Sequence, residues 1–161
     1  MEKIMIKIGD TLPQVTFSLR QNGKNTNPTT ADIFTGKKVV LFAVPGAYTP
    51  TCSNAHLPGY IALADEFANK DIDSIICLSV NDAFVMEAWG QIQNAEHIMM
   101  LADGGAEFTR AIGLDKETGT FGGVRSTRYA ILVEDTVVKA LNVEQPGKFE
   151  VSDAQTMLAT L

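Results

Sequence analysis

The sequence predicts an α/β fold in which a central mixed β-sheet is flanked by helices. Two short, continuous apolar runs, residues 38–44 and 74–80, are rich in β-branched side chains and are typical of buried strands. Each run is followed by a segment with helical spacing of apolar residues, which favours parallel strands joined by helices. Two more apolar runs, 128–133 and 137–143, flank a short polar segment and predict a hairpin that adds antiparallel strands.

The first half of the chain supplies a half-buried strand and two helices around the first buried strand. Residues 14–20 alternate between apolar and polar, as in a strand buried on one side, with the apolar face formed by Val15, Phe17 and Leu19. Pro28 precedes a short predicted helix over residues 29–34, a position that suits proline. Beyond residue 44, helical spacing begins at Cys52 and continues on one face through His56, Leu63 and Phe67.

The second half supplies the remaining elements. We expect Asn81 and Asp82 to cap a helix over residues 83–93, whose apolar face includes Val85 and Trp89. The other predicted elements are a strand over 97–101, a short helix over 107–112, a glycine-rich loop over 113–124 and a closing helix from a Ser152 cap to residue 161. The order β-α-β-α-β, followed by a hairpin and a helix, predicts a thioredoxin-like fold.

Composition bounds the class of protein. A chain of 161 residues with 45% hydrophobic and 20% charged residues fits one globular domain, residues 1–161. A net charge of −6 argues against a nucleic-acid partner. No apolar run approaches a membrane span, and the first residues do not form a secretory signal, so we expect a cytoplasmic protein with no membrane partner. In that reducing compartment two cysteines are expected to be free thiols.

The segment from Pro45 to Cys52 carries the clearest chemical signal. It lies between a buried strand and a predicted helix, so Cys52 should sit near a helix N-terminus, where free N–H groups stabilise a thiolate. Thiolate is the nucleophilic form of cysteine. Pro45 and Pro50 stiffen the loop and remove N–H donors. The alternative, that Cys52 is a buried small hydrophobe, fits less well because its neighbours are polar and rich in turn residues.

The pattern Pro45-x-x-x-Thr49-x-x-Cys52 is the active-site pattern of the peroxiredoxins, and residues 45–60 resemble the peroxiredoxin-5 (plant type II) subfamily. The resemblance continues over nearly the whole chain, at residues 78–85, Trp89, residues 101–103, 121–122, 128–129 and 139–144. It implies a thiol peroxidase that reduces hydrogen peroxide and organic hydroperoxides in antioxidant defence and redox homeostasis. The sequence does not rank one peroxide above another.

The resemblance also implies roles for individual residues. Cys52 would attack the peroxide and become a sulfenic acid, while Thr49 orients the peroxide and backbone N–H groups near Gly46 and Cys52 hold it. By its place in the family pattern, Arg128 would stabilise the thiolate and the leaving oxygen, which suits a permanently charged fork of donors. Arg125 competes for this role, but we expect it to be a solvated loop charge.

One departure from the subfamily concerns the reductant. Many members carry a resolving cysteine before the last helix, where this chain has Val151. Cys77 lies inside an apolar strand and is expected to be a core residue. We therefore expect a one-cysteine cycle in which an external thiol regenerates Cys52. The resemblance implies glutathione with glutaredoxin, with thioredoxin second, and a homodimer that pairs through surfaces around Ala47 and Tyr48.

Pro58, six residues after Cys52, should weaken the helix there. Two interpretations stay open: the segment unwinds to expose oxidised Cys52, or it is a static kink fitted to the core.

His56 lies four residues after Cys52, a spacing that metal ligands use, but one cysteine and one histidine without a further cluster do not make a zinc site. A packing or dimer-contact histidine is preferred over a general base for Cys52.

We expect no metal and no other cofactor, since the glycine-rich loop matches neither phosphate-binding motif. Two other functions compete with the peroxidase. A thioredoxin-like thiol–disulfide oxidoreductase would require C-x-x-C at the helix start, where this chain has Thr49-x-x-Cys52. A non-catalytic role, as a redox sensor or a chaperone-like assembly, is compatible with the sequence as an addition to catalysis.

Overall fold

The structure, a computed structural model, describes residues 4–161. In this part of the chain the strands are β1 (Leu19–Gln21), β2 (Lys24–Thr26), β3 (Lys38–Ala43), β4 (Ser74–Ser79), β5 (Ile98–Ala102), β6 (Asp115–Glu117), β7 (Val124–Ser126), β8 (Tyr129–Glu134) and β9 (Val137–Val143). The α-helices are α1 (Thr30–Phe34), α2 (Leu57–Ala62), α3 (Ala64–Ala68), α4 (Ala83–Ile92), α5 (Glu107–Ala111) and α6 (Ala154–Ala159). A π-helical turn spans Cys52–His56, and a 3₁₀ turn spans Gly119–Phe121.

Five strands form the central sheet in the order β5-β4-β3-β8-β9. The central strand β3 pairs in parallel with β4 and antiparallel with β8. The outer neighbours continue this division, because β5 is parallel to β4 and β9 is antiparallel to β8. The sheet is therefore mixed, and the thioredoxin-like fold predicted from the element order is confirmed.

Both faces of the sheet are covered, which is why the strand β3 is apolar without alternation. Val40 and Phe42 point into one core, which packs against the π-helical turn, α2, α4 and α6. Val39 and Leu41 point into the opposite core, together with residues of the N-terminal segment, α1 and α5. Cys52 belongs to the first core, so the site lies on that side of the sheet.

The predicted buried strands, the hairpin β8–β9 and the helices α1, α4 and α5 lie where the sequence placed them, within a residue or two. Thr29 forms a capping box with Asp32 at the start of α1, and Asp82 accepts from Val85 N–H at the start of α4. Asp135 and Thr136 both have positive φ, 47° and 68°, as the two-residue turn between β8 and β9 requires.

Three local predictions were wrong. The segment 14–20 alternates in burial as expected, but its ladder is confined to β1, which pairs with the unpredicted β2. The glycine-rich loop 113–124 contains β6 and the 3₁₀ turn, and its last residue starts β7, because short polar strands carry no hydrophobic pattern. Ser152 does not cap the last helix: Asp153 does, accepting from Thr156 N–H.

Within residues 4–161, no helix is long and apolar enough to cross a bilayer, and no group of three or more metal-binding side chains is found.

Candidate active site

The pairing of β3 with β8 brings the two halves of the site together. Ala43, the last residue of β3, lies opposite Tyr129, the first residue of β8, because these strands are antiparallel. The loop that leaves β3 therefore meets the residue that enters β8, which is Arg128. Pro45 and Arg128 are 83 positions apart in sequence (128 − 45 = 83) and line the same cavity.

Cys52 is fully buried at the first turn of the helical segment. The Ser53 N–H donates to the Thr49 carbonyl at 2.9 Å, so the Cys52 amide precedes this helical hydrogen bond and belongs to the free N–H groups of the helix start. Nη2 of Arg128 donates to the Cys52 sulfur at 3.2 Å. A permanent positive charge and a donor beside the sulfur both favour the thiolate over the thiol.

His56 holds the other end of the same guanidinium. Nη1 of Arg128 lies 2.8 Å from His56 Nδ1, and because a guanidinium only donates, Nδ1 must be the lone-pair nitrogen of the ring. The proton is then on Nε2, which donates to the Ser152 carbonyl at 3.0 Å. Burial, followed by the charge of Arg128, lowers the pKa of His56 to about 3.

His56 is therefore neutral at physiological pH and positions Arg128. Its Nδ1 accepts from Arg128 and its Nε2–H is bonded to Ser152, so neither nitrogen is left to take a proton from Cys52. The role as general base is excluded by this geometry. The preferred interpretation, a packing histidine, was incomplete, because the ring packs against Phe42 and Phe149 but also aims the arginine.

Glu144 fixes the loop that holds His56. Its carboxylate accepts from the backbone N–H groups of residues 150–152 at 2.8–2.9 Å and from the Ser152 hydroxyl at 2.7 Å. The Ser152 carbonyl can then accept from both His56 and Tyr60. Burial raises the pKa of Glu144, but the hydrogen bonds from Ser152 and residues 150–151 outweigh it, so the pKa lies below its ordinary value.

Three hydrogen bonds shape the loop before Cys52. The Thr49 hydroxyl donates to the Gly46 carbonyl at 2.6 Å, which leaves its oxygen lone pairs free to accept from a bound O–H. The Ala47 N–H donates to Asn81 Oδ1 at 3.0 Å. Arg125 Nη1 donates to the Pro45 carbonyl at 2.8 Å.

Arg125 is not the solvated loop charge that the sequence suggested. It is half-buried, its guanidinium lies 5.6 Å from the centre of the Phe121 ring, and its Nε is buried with no hydrogen-bond partner among the described residues. A side chain at Gly46 would overlap the guanidinium and displace it from the Pro45 carbonyl. Arg125 thus holds the active-site loop through the Pro45 carbonyl. Of the two arginines, it is Arg128 that contacts the Cys52 sulfur.

Cys77 shares the core with Cys52 but not its polar contacts. It lies in the middle of β4, opposite Phe42, and has no exposed surface. Burial, together with the nearby Cys52, raises the pKa of the Cys77 thiol well above its ordinary value, so Cys77 stays a thiol. The prediction that Cys77 is a core residue is confirmed, and both cysteines are free.

Pro58 does not interrupt a regular α-helix. The π-helical turn ends just before it, with the Leu57 N–H bonded to the Cys52 carbonyl, and Pro58 occupies the first turn of α2, where its missing N–H costs little. Unwinding and a static turn both stay open as interpretations.

The loop after β3 carries Pro45, Gly46, Thr49 and Cys52, and the pairing of β3 with β8 brings Arg128 within 3.2 Å of the Cys52 sulfur. The residues that sequence reasoning missed are the supports of that site: Glu144, Ser152, Phe149, Asn81 and the loop-holding role of Arg125. Asn81 and Ser152 carried a local signal, because the sequence placed both at the starts of helices, but that signal did not indicate their contacts with the site. The assembled group can stabilise a buried thiolate and offer both donors and an acceptor to a small molecule bearing an O–O bond.

A family model described as Redoxin matches residues 7–158 of the chain. The chain is 45% identical to Peroxiredoxin-2D of Arabidopsis thaliana, with 97% of this chain and 98% of that protein covered. It is 46% identical to hybrid peroxiredoxin hyPrx5 of Haemophilus influenzae, with 95% of this chain and 65% of that protein covered. Among solved structures it is similar to reduced Prx3 of Vibrio vulnificus in complex with hydrogen peroxide, with a TM-score of 0.95, 57% identity and coverage of 97% and 99%.

The Glu144 carboxylate is expected to make stability depend on pH. Because its folded pKa is lowered from 4.5, its stabilisation is fully present above about pH 4.5 and is lost as the pH falls through the folded value. We expect Glu144→Gln to reduce the free energy of unfolding by about 2 kcal/mol at pH 7, since several N–H groups lose a charged acceptor. In urea titrations, the difference from the wild type should shrink below pH 4.5.

Glu150→Gln is the matched control, because Glu150 is an exposed carboxylate in the same loop. It should leave the free energy of unfolding unchanged within about 0.5 kcal/mol both at pH 7 and below pH 4.5. A Glu144→Gln deficit that stays constant from pH 7 to pH 3 would contradict this assignment.

Proposed function

The chain belongs to the redoxin family as a peroxiredoxin of the peroxiredoxin-5 (plant type II) kind, a thiol peroxidase with a peroxidatic cysteine, and we propose that this cysteine is Cys52. The observation that carries the assignment is the 3.2 Å hydrogen bond from Arg128 to the Cys52 sulfur. Cys77 has no comparable donor among the described residues, and its raised pKa disfavours the thiolate. The fit of a small peroxide is supported by the similar Vibrio vulnificus structure, which holds hydrogen peroxide.

In the proposed reaction with peroxide, each of the groups around Cys52 has one role. The Cys52 thiolate attacks one peroxide oxygen, the O–O bond breaks, and the sulfur becomes a sulfenic acid. The departing oxygen takes a proton and leaves as water or an alcohol. Thr49 accepts a hydrogen bond from the peroxide O–H, and the free Cys52 amide donates to it. Arg128 stabilises the thiolate before attack and the negative charge that develops on the leaving oxygen.

The reductant is proposed to be an external thiol. The sulfenic acid of Cys52 reacts with one thiol to give a mixed disulfide and water, and a second thiol releases the Cys52 thiol and a small-molecule disulfide. Cys77 is buried as a thiol, and Val151 stands where other subfamily members have a resolving cysteine. We propose glutathione with glutaredoxin as the reductant, with thioredoxin second.

We also propose a cytoplasmic location and a homodimer. The free state of both cysteines supports a reducing compartment. Tyr48 is half-exposed at the active-site loop, where it has a positive φ of 67°. An exposed aromatic ring beside a site is typical of a surface that meets a partner.

The thiol–disulfide oxidoreductase is disfavoured because Thr49 stands where that activity requires its first cysteine. A non-catalytic sensing role has no observation that favours it over the peroxidase.

Rapid mixing of reduced protein with hydrogen peroxide tests the peroxidase step. Trp89 is the single tryptophan and donates to Ser53 Oγ at 3.0 Å, so its fluorescence should report oxidation of the adjacent Cys52. We expect Cys52→Ser to abolish the signal and Arg128→Met to slow oxidation by about 10²-fold, the typical loss for one charged donor at a reacting centre. Arg110→Met, an exposed arginine, serves as the control and should react at the wild-type rate. Wild-type oxidation no faster than free cysteine would sink the assignment.

Turnover of a Cys77→Ser variant tests the one-cysteine cycle. Because Cys77 is a core thiol, the variant should retain turnover with glutathione and glutaredoxin, and mass spectrometry of peroxide-treated wild type should show one added oxygen on Cys52. A Cys52–Cys77 disulfide, or loss of turnover in folded Cys77→Ser, would rule out the external-thiol cycle.

Sedimentation of the reduced protein tests the homodimer. We expect twice the chain mass for the wild type and a single chain for Tyr48→Arg, since a charge would be buried in the interface. Ile92→Arg replaces an apolar residue on α4 that is more exposed than Tyr48, and this variant should stay dimeric. A monomeric wild type at micromolar concentration argues against the assembly.

A further inference from the structure

A cavity of about 290 Å³ is lined in part by Arg128 and by Pro45 of the active-site loop. Its other walls come from β6 at Lys116 and from the segment after β9 at Lys148 and Phe149. In the proposed peroxidase chemistry, Arg128 acts through its contacts with Cys52 and His56, neither of which lines this cavity. Nothing in that mechanism uses Lys116 or Lys148.

The cavity is positively charged in a protein that is negative overall. Lys116, Arg128 and Lys148 line it, whereas the whole chain has a net charge of −6. Glu144 is the one carboxylate in the lining, and its oxygens are already bonded to residues 150–152. Within residues 4–161, neither lysine forms an ion pair. The cavity therefore offers cations that the protein itself does not neutralise.

We propose that this cavity binds the carboxylates of the thiol that reduces oxidised Cys52, namely a carboxylate-bearing thiol tripeptide of the glutathione type. The proposal rests on the external-thiol cycle proposed above and adds where that thiol docks. Glutathione carries a carboxylate at each end and its thiol in the middle, and Lys116 and Lys148 stand on different segments of the wall. Pro45 and Phe149 supply apolar surface for the intervening chain.

The position of the cavity suits delivery of the thiol. Arg128 forms part of its wall and reaches the Cys52 sulfur with Nη2 at 3.2 Å, so a thiol held there is separated from the sulfur by one side chain. Cys52 is fully buried in this arrangement, so the proposal takes the first of the two interpretations of the 52–56 turn, in which it unwinds after oxidation and exposes the sulfur to the thiol. Binding by the two lysines keeps the thiol at a high local concentration during that movement. The attack forms the Cys52–glutathione disulfide and releases the sulfenic oxygen as water.

The test measures the second half-reaction alone, using full-length protein oxidised with one equivalent of hydrogen peroxide and then mixed with a thiol. Lys116→Ala and Lys148→Ala should each lower the second-order rate constant for glutathione by about fivefold, which corresponds to loss of about 1 kcal/mol per ion pair. Reduction by uncharged 2-mercaptoethanol should be unchanged. Raising the salt concentration should slow glutathione in the wild type more than in the double variant. Lys139→Ala, an exposed lysine on β9, is the matched control and should resemble the wild type with both thiols.

Each other outcome has a definite meaning. Equal rates with glutathione in wild type and both lysine variants overturn the docking site while leaving the external-thiol cycle intact. Equal losses with glutathione and 2-mercaptoethanol show a general disturbance and also overturn it. If hydrogen peroxide oxidises the lysine variants more slowly than the wild type, Lys116 and Lys148 act in the peroxide step, and the docking site is overturned. Failure of every thiol to reduce the oxidised wild type overturns the external-thiol cycle and the docking site with it.

Discussion

One guanidinium shared between a sulfur and an imidazole is the interaction on which the site depends. Arg128 donates to Cys52 with one nitrogen and to His56 with the other. The second contact exists only while His56 is neutral with its proton on Nε2, because a ring that carried a proton on Nδ1, whether charged or as the other neutral tautomer, would present an N–H to an N–H. The Ser152 carbonyl accepts from Nε2 and so keeps the proton there. Glu144 in turn holds the Ser152 loop in place by accepting from the Ser152 N–H. The Glu144 carboxylate thus determines the orientation of the Arg128 guanidinium through two intervening residues, Ser152 and His56.

The sheet explains why these groups meet. β8 is antiparallel to both of its neighbours, so the end of β3, the start of β8 and the end of β9 lie at one edge. The Glu144 N–H donates to the Arg128 carbonyl at 3.0 Å across that edge, which ties the two residues by backbone as well as by the network. Loops at a single sheet edge can carry chemistry while the buried strands keep their positions fixed. The same edge opens into the cavity lined by Lys116 and Lys148.

The two cysteines show how environment separates reactive from inert thiols. Both are fully buried and belong to the same core, so burial alone does not distinguish them. Cys52 receives a charged donor and a helix start, whereas Cys77 lies within a strand among apolar neighbours. Burial disfavours a thiolate unless a positive group compensates, and only Cys52 has that compensation within the described residues.

The sequence by itself determined the sheet and its mixed character, because buried strands leave apolar runs, and its contiguous loop motif pointed to Cys52 and Thr49. It misjudged Arg125 and passed over Glu144, since a charged residue in a loop has the same local pattern whether it is solvated or holds another segment. Which arginine reaches the sulfur, and which tautomer His56 adopts, depend on contacts between residues 72 or more positions apart. Only the tertiary structure decides such contacts, because they form when the antiparallel strands bring distant loops to one edge of the sheet.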